Sequence, residues 1–285
     1  MIGEAYALGS GTIINAIATG KGAAFGLDLK VKATVKLDDS GIITGRIREA
    51  PAEKTTLIER CVRKVLDRFG LEYGAEVETE SNVPLAKGLS SSSAAANATV
   101  LATLSALGKG LDDLEAINLG IDAAVESNVT ITGAFDDASA SYFGGCIITD
   151  NVKRDILKKF DMDRDLTVLI YCPEEKAHTT ETNVRRMKLF HEQVQIAFNE
   201  ALAGDVYRAM TLNGLIYCAS LGFPPTPAIL ALEGGAIASG LSGTGSAVIA
   251  LCKRESKGDI MESWDELGGE VIVTRPNNDG ARVIR

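Results

Sequence analysis

Residues 84–104 read PLAKGLSSSSAAANATVLATL, in which four hydroxyls, Ser90 to Ser93, stand between a glycine turn and an alanine-rich run unbroken before Gly108. Alanine and leucine at that density predict a helix from about Ser91 to Leu107, so the serines sit at a helix entrance rather than in a linker. The first N–H groups of a helix lack intrahelical acceptors and its dipole adds positive potential there, which stabilises a phosphate group. Gly88 lets the chain approach closely, the hydroxyls can bond phosphate oxygens or ligate Mg2+, and Ala94 to Ala96 keep the next turn slim. The alternative is a single capping serine beside solvated ones. No GxxxxGK[ST] occurs, so a phosphate site here is not a P-loop.

The bulk composition narrows the chemistry further. A net charge of -9 argues against nonspecific nucleic-acid binding, which draws on clustered Lys and Arg. Small anions remain possible ligands, because backbone N–H groups and helix starts hold them without changing net charge. Cys61, Cys146, Cys172, Cys218 and Cys252 form no CxxC pair and read as buried thiols. With only His178 and His191 as imidazoles, any metal is expected to be oxygen-bound. No apolar stretch reaches the roughly 18 to 20 residues of a membrane span, and MIGEAYALGSG lacks signal-peptide features, so a cytoplasmic protein is expected.

The elements that must position such a site alternate irregularly. LKVKATVKL, residues 29–37, has the strict alternation of a half-buried strand, and GIITGRIRE follows as a second. Leu57, Ile58, Cys61, Val62, Val65, Leu66 and Phe69 recur at helical spacing before Gly70. Asp112 with Glu115 predicts a capping box opening another helix. FGGCIITD and LTVLIYC read as strands, residues 182–203 and 205–221 as consecutive helices, and TPAILALEGG as a shorter one. The last segment alternates strand, glycine loop, strand, helix, strand. Without a regular βαβ repeat, an α+β architecture of two lobes is expected, with 150–165 as the join.

PLAKGLSSSSA resembles the central phosphate-loop motif of the GHMP kinases, the superfamily of galacto-, homoserine, mevalonate and phosphomevalonate kinases. SGLSGTGSAVIAL, residues 239–251, resembles that superfamily's C-terminal glycine motif. TGAFDDASASYFGG, residues 132–145, is similar to its segment with an Asp-Asn pair before Gly-Gly. Within the superfamily, ALGSGTIINAIATGKGAAFGLDL and TGAFDDAS most resemble the archaeal-type shikimate kinases, over nearly the whole chain. The resemblance implies a GHMP-kinase-like two-lobed α+β fold, with an ATP-binding N-terminal lobe over 1–155 and a ferredoxin-like C-terminal lobe over 156–285. It also implies ATP-dependent phosphorylation of the shikimate 3-hydroxyl. Homoserine kinase is the nearest alternative, and a catalytically silent nucleotide-binding regulator the alternative outside enzymes.

Carried onto this chain, the resemblance implies that Pro84, Lys87, Gly88, Leu89, Ser90, Ser91, Ser92, Ser93 and Ala94 hold the ATP phosphates. Mg2+ would be bound by Ser92 or a neighbour and by Glu126. Asp136 or Asp137 would orient or deprotonate the attacking hydroxyl, and since adjacent side chains point apart, only one faces it. Asp136 is preferred, although counting back from Gly144-Gly145 against mevalonate kinases selects Asp137. The N-terminal motif departs from the superfamily: Leu8-Gly9-Ser10 stands where many members have Pro-Gly-Lys or Pro-Gly-Arg. Lys21 is then the nearest cation for the shikimate carboxylate or a phosphate oxygen. Thr179 and Arg185 are further candidates for the substrate, with Arg185 able to pair with its carboxylate. Gly243 and Thr244 would form a turn closing on the site.

Overall fold

The structure is a computed structural model describing residues 1–130, 133–174 and 184–285. The alternating stretch at 29–37 lies within a longer strand, β2 (Lys21–Asp38), paired antiparallel with β1 (Ile2–Ile14). Leu29, Val31, Ala33, Val35 and Leu37 face inward as the alternation predicts. β3 (Ile43–Ile47) runs parallel to β4 (Gly74–Ser81), which pairs antiparallel with β2. Between them α1 (Thr56–Arg68) buries the predicted apolar face, Leu57 through Leu66.

The serine-led helix is α2 (Ser91–Leu107), and it is buried on most sides. Ala98, Ala102 and Ala106 pack on the sheet, while Ala96, Val100 and Leu104 pack on α1 and α3 (Asp113–Glu126). Small side chains allow that double contact. A Cβ on Gly3 of β1 would overlap the Ala102 carbonyl oxygen, so helix and strand touch backbone to backbone. The capping box at α3 is half realised: Asp112 accepts from Leu114 N–H at 2.9 Å, whereas Glu115 turns outward to Arg68. α4 (Phe135–Phe143) follows, then β5 (Cys146–Asp150) on β2 and β6 (Asp155–Phe160) on β5. The charged stretch 150–165 thus supplies a turn and an edge strand of the first sheet.

The second sheet begins with β7 (Thr167–Cys172). The helix expected over 182–203 is divided into α5 (Val184–Lys188) and α6 (His191–Ala203), its first residues falling outside the described ones. The break has a backbone cause: Leu189 and Phe190 donate three residues back, to Arg186 and Met187, which interrupts the four-residue ladder. α7 (Val206–Leu221), α8 (Thr226–Glu233), β8 (Ala238–Leu241), β9 (Val248–Cys252), α9 (Lys257–Asp265) and β10 (Glu270–Thr274) complete this lobe. Its antiparallel strand order, β10-β7-β9-β8, is that of a ferredoxin-like layer. The chain then returns to the first sheet, where β11 (Arg282–Val283) pairs with β1 and Asn277 N–H bonds Gly26 O at 2.9 Å. All five cysteines are buried free thiols. Among the described residues, no helix is long and apolar enough to cross a membrane.

Candidate active site

The entrance of α2 is built by two left-handed residues, Gly88 (φ 83) and Ser90 (φ 58). Together they fold the loop after β4 sharply back so that the helix starts at Ser91. Ser90 does not cap the helix with its side chain. Its hydroxyl lies 2.6 Å from Ser10 Oγ on β1, and the first four-residue helical bond is Ala94 N–H to Ser90 O at 3.0 Å. The amides of Ser91, Ser92 and Ser93 precede that bond, so they are the helix-start donors that an anion can use.

Two carboxylates approach this entrance from α4, which opens behind the left-handed Ala134. Asp136 is 4% exposed, and its Oδ1 accepts from Asn151 Nδ2 at 2.7 Å. Asp137 is half-buried, and its Oδ1 accepts from Ser10 Oγ at 3.1 Å. Consecutive helical positions separate the two side chains, so the pair splits its surroundings as expected: Asp136 toward β2 and β5, Asp137 toward β1 and the serine loop. Burial raises both carboxyls above the usual carboxylate range. For Asp137 the neighbouring Asp136 charge adds to burial, the serine hydroxyls oppose both, and the result is a pKa pushed up to about 7.

The second lobe closes the site through the loop between β8 and β9. Ser242 Oγ donates to Gly88 O at 2.8 Å, Thr12 N–H donates to Ser242 Oγ at 3.2 Å, and Gly243 N–H donates to Thr12 Oγ1 at 2.8 Å. Asn15 joins the same seam: its Nδ2 bonds Gly243 O at 3.1 Å and its N–H bonds Asn213 Oδ1 of α7 at 3.1 Å. A Cβ on Gly88 would overlap the Ser242 carbonyl oxygen, and one on Gly245 would overlap Lys87 and Gly88 backbone. The close approach that these glycines permit is therefore between the two lobes.

These parts enclose a cavity of about 540 Å³, within the range of small-molecule sites. Gly88 to Ser93, Asp136, Asp137, Gly243 and Thr244 line it, with Thr12, Asn15, Asn128 and Thr130. Other predicted residues lie elsewhere. Lys21 holds its ammonium 5.4 Å from the Phe198 ring, Lys87 donates to Pro173 O at 2.7 Å, and Ala94 is buried in the core. Neither Pro84 nor the exposed Arg185 on α5 is among the residues lining the cavity. Glu126, the last residue of α3, is not among the lining residues and pairs with Lys64 and Arg60 of α1. Thr179 is outside the described residues.

Thr12 and Asn15 line the cavity, and Ser10, Asn151 and Ser242 bond residues that line it, although the sequence did not mark them as site residues. Ser10, Thr12 and Asn15 lie within the N-terminal motif, whereas no local pattern marks Asn151. The donor set suits the phosphates of a nucleoside triphosphate, with helix-start amides that have no intrahelical acceptor and the hydroxyls of Ser91 to Ser93 beside them. For a metal, described residues hold no cluster of three His, Cys, Asp or Glu side chains. Ser92 lines the cavity and would be a protein donor to a Mg2+ held by phosphate oxygens and water.

Comparison with known proteins gives the chain's family and fold. Family models described as GHMP kinases N terminal domain and GHMP kinases C terminal match residues 56–145 and 198–268. The shikimate kinase of Methanosarcina mazei is 52% identical over 98% of this chain and 96% of its own length. That of Methanothermobacter thermautotrophicus is 47% identical over 97% and 96%. Among solved structures, homoserine kinase from Cytophaga hutchinsonii superposes with a TM-score of 0.80 at 19% identity, covering 99% of this chain and 97% of that one. Mevalonate kinase from Methanococcus jannaschii gives 0.79 at 17%, covering 98% of each. At those identities the solved structures share the fold.

Proposed function

The chain belongs to the GHMP kinases, among the archaeal shikimate kinases, and we propose that it transfers the terminal phosphoryl group of ATP to the 3-hydroxyl of shikimate. One observation carries the assignment of roles: Asp137, through Ser10, stands beside the hydroxyls that open α2, inside the cavity between the lobes.

In this proposal the amides of Ser91 to Ser93 and the loop hydroxyls hold the phosphates at the helix start. Mg2+, with Ser92 as its protein donor, would neutralise charge spreading over the transferred group. Asp137 accepts the proton of the attacking hydroxyl, because it is the carboxylate nearest the phosphate loop. A pKa of about 7 suits a general base, since the group is ionised often enough to accept a proton at neutral pH and basic enough to take it. Asp136, turned toward β2 and β5, faces the acceptor molecule instead. Ser10 stands where many members of the superfamily have lysine or arginine, so the base is oriented by a neutral hydroxyl, which leaves its pKa high where a cation would lower it.

The test is ADP release by purified protein with ATP and Mg2+, on adding shikimate, homoserine or mevalonate. Shikimate should be turned over with a kcat/KM far above the others. A pocket built to pair ring hydroxyls leaves polar groups unpartnered when a flexible amino alcohol enters, at about 1 to 3 kcal/mol each. Comparable kcat/KM for homoserine, or no turnover of shikimate, rejects the proposal.

A further inference from the structure

Building on that function, we infer that Asn151 is a positioning residue: through a buried hydrogen-bond chain from Thr149, it holds the Asp136 carboxylate in the orientation that receives the acceptor's hydroxyls. Asn151 is absent from the cavity wall and acts through Asp136, which is part of it.

The chain runs across the end of β5. Thr149 Oγ1 lies 2.6 Å from Asn151 Oδ1, and Asn151 Nδ2 lies 2.7 Å from Asp136 Oδ1. All three residues are buried, at 0%, 6% and 4% exposure. With Asp136 ionised, one direction of donation satisfies the whole chain. The carboxylate needs a donor, so the amide must present N–H to it; the amide oxygen then faces Thr149, whose hydroxyl supplies the proton. Gly22 O, 3.2 Å from Thr149 Oγ1, is a second acceptor for the same hydroxyl, at longer range than the amide oxygen. The backbone of Asn151 is pinned in turn, its N–H donating to Gly20 O at 2.9 Å.

Gly22 completes the arrangement. A Cβ at that position would overlap Asp136 Oδ2, so the carboxylate occupies the space that a side chain on β2 would take. Asp136 is thereby held by Asn151 on one oxygen and by the β2 backbone beside the other. The cavity, shared with the Asn15–Ile17 turn, is the side from which a ligand hydroxyl can arrive. A carboxylate with its rotation fixed in advance binds a rigid ring of hydroxyls without first having to be ordered. The function proposed above explains why polar residues with this much burial line up behind a single carboxylate.

Asn151→Leu keeps the side-chain shape and removes the donor. It should raise KM and the calorimetric Kd for shikimate by roughly 10- to 100-fold while the ATP KM stays within about twofold. Thr149→Val should raise the shikimate KM roughly fivefold or more by freeing the amide to rotate, and Thr149→Ser, which restores a hydroxyl, should return it to within about twofold of wild type. A role confined to fold stability would move both KM values together or neither. Folded Asn151→Leu with an unchanged shikimate KM, or both KM values rising in parallel, overturns the inference. If Asn151→Leu does not fold, the Val and Ser pair at Thr149 decides by the same comparison. Wild-type turnover is measured first: its absence with shikimate overturns the function, while wild-type turnover with indifferent variants overturns only the role of Asn151.

Discussion

Ser242 donates its hydroxyl to the Gly88 carbonyl oxygen at 2.8 Å, and the Ser242 carbonyl oxygen fills the space that a Cβ on Gly88 would need. The glycine of the serine loop is thus one place where the two lobes meet, and it lines the cavity.

Gly88→Ala should therefore disturb nucleotide binding from the lobe side. Gly88 sits at φ 83, where an L side chain costs about 1 kcal/mol before the overlap with Ser242 is counted. Relief requires the loop to move, which shifts the amides of Ser91 to Ser93. Calorimetry should show ATP binding weakened by roughly tenfold or more. Wild-type ATP affinity in a folded Gly88→Ala protein would disconnect the seam from the phosphate site.

Asp137→Asn should lower kcat by roughly 10²- to 10⁴-fold with the ATP Kd changed little, the range expected for losing a general base. In the wild type, kcat/KM should fall about tenfold per pH unit below about pH 7, where the carboxyl becomes protonated. Asp136→Asn should act mainly on the shikimate KM. The roles are reversed if Asp136→Asn abolishes turnover while Asp137→Asn keeps it.

The same pKa makes stability depend on pH with a definite sign. The folded value of Asp137, about 7, lies above the ordinary aspartate value of 3.8, so the folded state holds this proton more tightly. Its contribution is complete below about pH 4 and is lost as pH rises through 7. Urea unfolding at about pH 4.5 and about pH 8 should show the wild type losing roughly 1 to 3 kcal/mol more than Asp137→Asn over that interval. Equal losses in the two proteins would mean that Asp137 ionises normally.

Glu126 pairs with Lys64 and Arg60 on the outer surface, which lowers its pKa, chiefly through the Lys64 bond. Surface pairs of this kind contribute little and are screened by salt. Glu126→Gln should leave kcat and the Mg2+ concentration for half-maximal rate within about twofold of wild type. A several-fold higher Mg2+ requirement would place Glu126 at the metal after all.

Local pattern was enough to determine the parts of this protein whose cause is local. Period-two alternation at 29–37, the apolar stripe from Leu57 to Leu66 and the alanine-rich run after Ser93 each specify an element through contacts within a few residues, and each element formed. The serine run at a helix start and the adjacent aspartates were visible for the same reason. The 182–203 helix failed locally as well, because apolar periodicity continues across Leu189 and Phe190 although their amides bond only three residues back.

Tertiary structure alone decided how these parts address one another. Ser10 meets Asp137 across 127 positions and Ser242 meets Gly88 across 154, separations over which no spacing rule carries information. The division of labour between Asp136 and Asp137 follows from what packs against each: a buried amide behind one, the hydroxyls of β1 and the serine loop beside the other. Glu126 shows the converse, since it lies close to the aspartate pair in sequence, while the turn of α3 sends its carboxylate to the outer surface. Residue types are a property of the chain in any conformation; burial and hydrogen-bond partners, which set the proton affinities and directions of those side chains, exist only once the two sheets and their helices have packed.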